Sequence, residues 1–186
     1  MDTPDAACRP LLEAVSFAAR AHRHQIRKDG QTPYVAHVFR VCLIARHVFG
    51  ITDEQALLAA ALHDTIEDTT TDFDDLEKHF GAEVARWVAL LSKDKRLQEG
   101  AREEAYCRGL ATAPWQVKVC KLADIFDNLT DAQHLRPEQR ARTLARSRQY
   151  LEALQSGGLP EPARRAWDVV ARLVTETEKR WDGQPG

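Results

Sequence analysis

The chain has 186 residues, enough for one ordinary domain with a full core and too few for a second of standard size. Its 26 Lys+Arg against 28 Asp+Glu leave a formal net charge of -2, so no broad basic field advertises a nucleic-acid partner. Hydrophobic residues at 44% and charged residues at 29% exclude a disordered chain, and 9 Gly with 8 Pro are fewer than a turn-rich β protein carries, so the fold class is all-α.

The longest apolar stretch, Ala56 to Leu62, is far short of a bilayer span, and the first residues lack the basic start and apolar middle of a secretion signal. The expectation is a soluble, cytoplasmic protein with no membrane partner. Cys8, Cys42, Cys107 and Cys120 have no CxxC spacing; they read as reduced thiols, with Cys42 and Cys120 inside apolar helical patterns.

The first predicted helix runs from about Pro10 to Arg27 and stops near Gly30, with Leu11, Val15, Ala18 and His22 on one face. Thr32 and Pro33 read as the N-cap and first-turn proline of a second helix through Phe49, whose inward stripe is His37, Val41, Ile44 and Val48. Thr52 with Gln55 signals a capping box for a third helix, apolar on every side, that ends in His63-Asp64. A short helix with Leu76 and Phe80 closes at Gly81, and Val84, Trp87, Val88 and Leu91 form the next. A charged stretch from Lys93 to Glu104 follows. Then comes an apolar helix from about Pro114 to Leu129, with Val117, Cys120, Asp124 and Asn128 on one face. Two long helices starting near Pro137 and Pro160 finish a single domain over 1–186, with its core over about 10–155 and the C-terminal helix over about 160–181.

Four side chains able to bind metal, His37, His63, Asp64 and Asp124, lie on inward faces or ends of three apolar helices, with no Lys on the same stripes. A carboxylate in an apolar interior costs several kcal/mol unless paired or metal-bound. One divalent ion satisfies all four. The mixed imidazole and carboxylate set suits Mn, Fe or Zn and leaves positions open for water and substrate oxygens. Continued as helix, Thr65-Ile66-Glu67-Asp68 puts Glu67 four residues from His63 and Asp68 four from Asp64, so two further carboxylates rim the ion and can activate a water for hydrolysis. His22 and His47 read as structural histidines, His24, His79 and His134 as solvated ones, and the four Trp as packing or surface anchors.

With those residues in place, the chain resembles the HD superfamily of metal-dependent phosphohydrolases, whose pattern is H, then HD, then D. The segments AARAHRHQIRKDGQTPYVAH at 18–37, LHDTIEDT at 62–69, FGAEV at 80–84 and KLADIFDNL at 121–129 are similar to the hydrolase domain of RelA/SpoT-type proteins. The length matches the single-domain small alarmone hydrolases, a group that includes the metazoan SpoT homologue and removes the 3′-pyrophosphate of (p)ppGpp. The resemblance implies a helical bundle with Mn2+ as cofactor, Zn2+ or Fe2+ being alternatives. Its ligands would be His37, His63, Asp64 and Asp124; Glu67 and Asp68 would activate the water; and Arg27, Lys28 and Asn128 would bind a small-molecule nucleotide. Read without the resemblance, Arg27 and Lys28 are a basic helix C-terminus beside the macrodipole.

The chain departs from the family pattern at Val38, Ile125, Asp127 and Thr130: Ile125 and Thr130 replace commonly basic residues, and Asp127 adds a negative charge one turn from Asp124. Lys95, Arg142 and Arg146 are candidates to replace the missing positive charge. Two alternatives remain open: an HD enzyme acting on (p)ppApp or NADPH, and a module that binds an alarmone without cleaving it.

Overall fold

The computed structural model describes residues 4–182, with side chains from Cys8 to Trp181, and every regular element among them is helical apart from one isolated bridge between Ile26 and Pro33. Helix α1 spans Pro4–Ala21, α2 Val35–Leu43, α3 Glu54–Leu62, α4 Thr65–Asp68, α5 Phe73–Phe80 and α6 Ala82–Leu91. Then follow α7 Glu99–Thr112, α8 Trp115–Thr130, α9 Pro137–Ser156 and α10 Ala163–Asp182. The all-α expectation holds.

Helix α3 lies at the centre because its residues Ala56 to Leu62 are buried on every side and Leu and Ala are strong helix formers. It packs against α1, α2, α6 and α8, while α10 lies along α8 and α7 along α9. The α3 cap is Asp53 rather than Thr52: the Asp53 carboxylate accepts from the Ala56 amide at 2.8 Å, and a carboxylate at this position also favours the positive end of the dipole. Helix α5 carries the reciprocal cap that α3 lacks, formed by Asp72 and Asp75.

Helix α1 stops at Ala21, six residues short of the expected Arg27. Residues 22–34 instead form a tight loop in which Arg27 N donates to Thr32 O and Tyr34 N to Gln25 O, both at 2.8 Å. Thr32 is no helix cap: its hydroxyl donates to Asp29, whose other oxygen accepts from the Gln31 and Thr32 amides. This turn places Arg27 and Lys28 on a loop beyond α1, not at the C-terminus of their own helix.

The stripe of α2 fails at Val48 for a specific reason. Between Ile44 and Val48 the helix widens into a π-turn, with Phe49 N donating to Ile44 O at 3.1 Å. One extra residue per turn rotates the inward face forward by one position. Phe49 is therefore buried at 7% exposure, while Val48 is 46% exposed. His47, expected in the core, is exposed for the same reason.

The charged stretch from Lys93 to Glu104 runs into a helix that its spacing does not announce, α7. Its helical moment is weak because only Tyr106 and Leu110 are buried, too few to show as a stripe. Helices α7, α8 and α9 are tied together by Lys118, which is 2% exposed. Its ammonium donates to the carbonyls of Ala111, Leu154 and Gly158 at 2.8–2.9 Å. A cation at two helix C-termini satisfies orphan carbonyls and opposes the dipoles there. Close approach at this junction also requires glycine, since a Cβ at Gly157 would sit 1.7 Å from Ala111 O.

Lys118→Met keeps the volume and removes the three donors, and each carbonyl left unsatisfied costs about 1–3 kcal/mol. The expected outcome is a loss of at least about 3 kcal/mol in urea unfolding; an unchanged midpoint would show that water replaces the ammonium.

Candidate active site

The four expected ligands come from three stretches of the chain that converge on one point. His37 projects from α2, His63 from the C-terminal end of α3, Asp64 from the turn before α4, and Asp124 from the middle of α8. His37 Nε2 lies 3.2 Å from Asp124 Oδ1 and 3.4 Å from Asp64 Oδ2. His63 Nε2 lies 3.0 Å from Asp64 Oδ2 and 3.9 Å from Asp124 Oδ1. One ligand atom each from His37, His63 and Asp124 falls within 4.8 Å of the other two.

Both imidazoles are oriented through the other ring nitrogen. His63 Nδ1 is 2.9 Å from Ala60 O, a carbonyl of its own helix, and His37 Nδ1 is 2.7 Å from Asp127 Oδ2. Each Nδ1–H therefore donates, and each Nε2 points at the carboxylates. His63 Nε2 is buried and makes no well-formed hydrogen bond despite its ion-pair distance to Asp64. A buried, unpartnered nitrogen aimed at two carboxylates fits a cation at this spot.

Electrostatics points the same way. Burial depresses the pKa of His37, but hydrogen bonds to Asp124, Asp127 and Asp64 raise it well above the usual imidazole value. His63 is also raised, the Asp64 and Asp124 charges outweighing its burial. Asp64 and Asp124 are held below the usual carboxylate range, burial being outweighed by the imidazoles and, at Asp124, by Lys121. Without a metal, protons on the imidazoles neutralise the carboxylates; a divalent ion would displace them.

The expectation of no Lys on these stripes is wrong. Lys121 sits three residues before Asp124 on the same face of α8, and its buried ammonium donates to Asp124 Oδ2 at 2.7 Å. It rests on the rings of Tyr150 and Tyr106, 4.5 and 5.2 Å from their centroids, which lowers the cost of burying it. Asp124 Oδ1 meanwhile accepts from the Asn128 amide at 2.5 Å.

Glu67 and Asp68 stand on the rim. Glu67 Oε2 accepts from the Lys93 amide at 2.9 Å, and burial raises its pKa despite the nearby Lys93 charge. Asp68 Oδ1 pairs with Lys95 Nζ at 2.7 Å. Tyr34, which sequence reasoning passed over within the TPY segment, donates its hydroxyl to Asp64 Oδ2 at 2.7 Å. His22 is buried as expected; it donates from Nδ1 to Gln25 Oε1, and Gln25 Nε2 donates to Asp68 O, bracing the α4 turn.

Arg27 and Asn128 are in contact, Arg27 Nη2 donating to Asn128 Oδ1 at 3.1 Å. The guanidinium also grips Asp131 and lies 5.7 Å from the Tyr34 ring centroid. Lys28 lines the same cavity. That cavity, about 940 Å³, is lined by the His/Asp cluster, by Tyr150, and by Arg142 and Arg146 on α9. Its size is that of a nucleotide or drug-sized ligand site. Among the candidates for added positive charge, Arg142 and Arg146 line it and Lys95 braces the rim.

A helical bundle with an H, HD, D cluster at the head of a deep cleft defines the class, and the HD domain profile matches residues 14–151. The chain belongs to the HD domain family. It is 46% identical to human guanosine-3′,5′-bis(diphosphate) 3′-pyrophosphohydrolase MESH1 over 129 residues, 69% of this chain and 72% of that protein. To the bifunctional (p)ppGpp synthase/hydrolase SpoT of Escherichia coli K12 it is 36% identical over 146 residues, 75% of this chain but 20% of that much longer protein. A solved structure of a metazoan SpoT orthologue that hydrolyses ppGpp superposes with a TM-score of 0.77 at 34% identity, covering 92% of this chain and 97% of the other.

Removing one partner of a buried ion pair costs about 3–5 kcal/mol, whereas an apolar pair of similar volume is often neutral. Lys121→Met is therefore expected to destabilise the metal-free protein by about that amount in urea unfolding. An unchanged midpoint would show that the pair is not the source.

Proposed function

We propose that this chain is a metal-dependent hydrolase that removes the 3′-pyrophosphate from (p)ppGpp, leaving GDP or GTP. The observation that carries the proposal is the pair of buried Nε2 atoms aimed at two carboxylates, with Glu67 and Asp68 on the rim of a nucleotide-sized cleft. The names of the relatives support the substrate.

In this reading His37, His63, Asp64 and Asp124 hold the ion, with Mn2+ preferred and Zn2+ or Fe2+ as alternatives for a mixed nitrogen and oxygen set. When bound, the ion supplies Lewis-acid stabilisation of phosphoryl charge and lowers the pKa of a water. Glu67, with its raised pKa, takes a proton from the attacking water. Water oxygen bonds to the 3′ phosphorus, the bond from phosphorus to the 3′-oxygen breaks, and that oxygen receives a proton relayed through the acidic pair. Asp68, fixed by Lys95 and by the Gln25 brace, keeps the pair in register.

Arg27 offers a flat cationic face to the purine, held edge-on by Asn128 and Asp131, with Lys28 beside it. Arg142 and Arg146 supply positive charge at the far end, where the 5′-phosphates would reach. A cytoplasmic setting belongs to the same reading, because four unpaired thiols suit a reducing compartment; no described helix is long and apolar enough to cross a membrane.

Purified protein with Mn2+ should release pyrophosphate from ppGpp faster than from ppApp and should act weakly on NADPH. Glu67→Ala should lower turnover of ppGpp by about 10²- to 10⁴-fold, the range for a lost general base, while retaining bound Mn2+. Turnover of no nucleotide with any divalent ion would reject the enzyme reading in favour of a binding module. A second outcome concerns stability. At a hundredfold excess over its dissociation constant, Mn2+ should stabilise the fold by about 2.7 kcal/mol, a rise of about 5–10 °C in Tm for a chain of this size, reversed by chelation.

A further inference from the structure

The imidazole of His37 is held from both sides by one helix. Asp124 and Asp127 lie one turn apart on α8, and each reaches a different ring nitrogen: Asp124 Oδ1 is 3.2 Å from Nε2 and Asp127 Oδ2 is 2.7 Å from Nδ1. Asp127 is 1% exposed, and its position is fixed by more than the histidine. Arg40 Nε donates to Oδ1 at 2.5 Å and Arg40 Nη2 to Oδ2 at 3.0 Å, while Arg27 Nη2 stands 3.8 Å away. Asp131 joins the same two arginines.

From this arrangement we infer that Asp127 is a positioning residue for the metal site, dictating that His37 presents a bare Nε2 to the ion, with Arg40 locking the carboxylate in place. The inference rests on the four-ligand reading above and extends it to residues outside the ligand set. A carboxylate that accepts from Nδ1–H leaves the lone pair on Nε2 and makes the imidazole a stronger donor to a cation. An unfixed carboxylate could swing toward the ion or toward water; a fork of two guanidinium nitrogens prevents this, because arginine can only donate and never changes charge. Asp127 is one of the residues that depart from the family pattern, and Arg40, one helical turn after His37 on α2, stands where it can meet it.

Asparagine at 127 would be forced into conflict. It offers one acceptor oxygen where the carboxylate offers two. Turned toward His37 Nδ1 and Arg40 Nη2, that oxygen sets the NH2 against the Arg40 Nε donor; turned toward Arg40 Nε, it sets the NH2 against Arg40 Nη2 and the imidazole. In both orientations the negative charge that strengthens the imidazole as a donor to a cation is lost. Loss of such outer partners typically lowers metal affinity 10- to 100-fold.

The test is a Mn2+ titration of metal-free protein, followed by the free aquo-ion signal in electron paramagnetic resonance, on wild type, His37→Ala, Asp127→Asn and Arg40→Gln. Thermal melts of each metal-free variant run alongside. The expected result is a 10- to 100-fold rise in the Mn2+ dissociation constant for Asp127→Asn and a smaller rise for Arg40→Gln, in proteins that remain folded. If Asp127 serves only to clamp α2 to α8, the metal-free melt falls and the dissociation constant stays at the wild-type value, which overturns the inference. Should Asp127→Asn fail to fold, Arg40→Gln decides: a threefold or greater loss of affinity sustains the inference, and an unchanged value overturns it. No saturable binding by wild type would reject the ligand reading itself. Binding that is lost in His37→Ala but intact in Asp127→Asn would reject only the role of Asp127.

Discussion

The structure depends on two imidazoles whose Nδ1 atoms are already committed. His63 uses a carbonyl of its own helix end, and His37 uses a carboxylate of α8. Neither ring can rotate to satisfy Nε2 elsewhere without breaking a buried hydrogen bond, so both Nε2 atoms remain aimed at Asp64 and Asp124. This constraint explains why the surrounding helices are so apolar. The flanking residues of α3 and α8 exclude water that would otherwise solvate the carboxylates, and the charges must find one another.

Charge balance around this point is close. Asp64, Asp124, Asp127 and Asp131 supply four negative charges, and Lys121, Arg27 and Arg40 supply three positive ones. Three against four leaves a single negative charge when the imidazoles are neutral, so a divalent ion would leave the floor of the cleft positive. A polyphosphate ligand needs that positive floor, because the protein as a whole carries a net charge of -2 and provides no long-range attraction. The arginines therefore do more than lock Asp127: they offset the acidic residues that would otherwise repel the ligand. Lys95 does the same in its pair with Asp68, and the Lys93 charge, itself paired with Glu103, acts on Glu67 from further away.

Much of this was legible in the sequence, and the failures have identifiable causes. The inward faces of His37 and Asp124 follow from helical spacing, and α3 announces itself by unbroken burial. The π-turn at Ile44–Val48 was not legible because nothing in the residue pattern marks a one-residue widening; its only trace is an apolar Phe49 beyond the stripe. Helix α7 was hidden because only two of its residues are buried. Lys121 was overlooked although its three-residue offset from Asp124 is a standard ion-pair spacing on a helix, since a lysine in an apolar run is read first as a surface residue with its stem buried. Tyr34 and Arg40 could not be assigned from spacing at all. Their partners lie 30 and 87 residues away in the chain, and only the packing of α2 against the rest brings them together.

The departures from the family pattern acquire a physical meaning in this setting. Ile125 is buried and lines the cavity, and the Thr130 hydroxyl bonds back to the carbonyls of Phe126 and Asp127 in its own helix. Neither position offers a cation to a phosphate. Besides Lys93 and Lys121, the positive residues that line the cavity are Arg27 and Lys28 on the loop and Arg142 and Arg146 on α9. Arg146 is partly engaged by Glu99, 3.3 Å away at the start of α7, so an anionic group arriving there competes with a surface carboxylate for the same guanidinium. An exposed pair of that kind contributes at most about 1 kcal/mol, and a bidentate phosphate outweighs it. His37, His63 and Asp124 are buried, whereas Arg142 and Arg146 on α9 are exposed. In the proposed reading, discrimination between nucleotides that share a 3′-phosphate would come from the loop that carries Arg27, where the base would lie against a guanidinium fixed by Asn128 and Asp131.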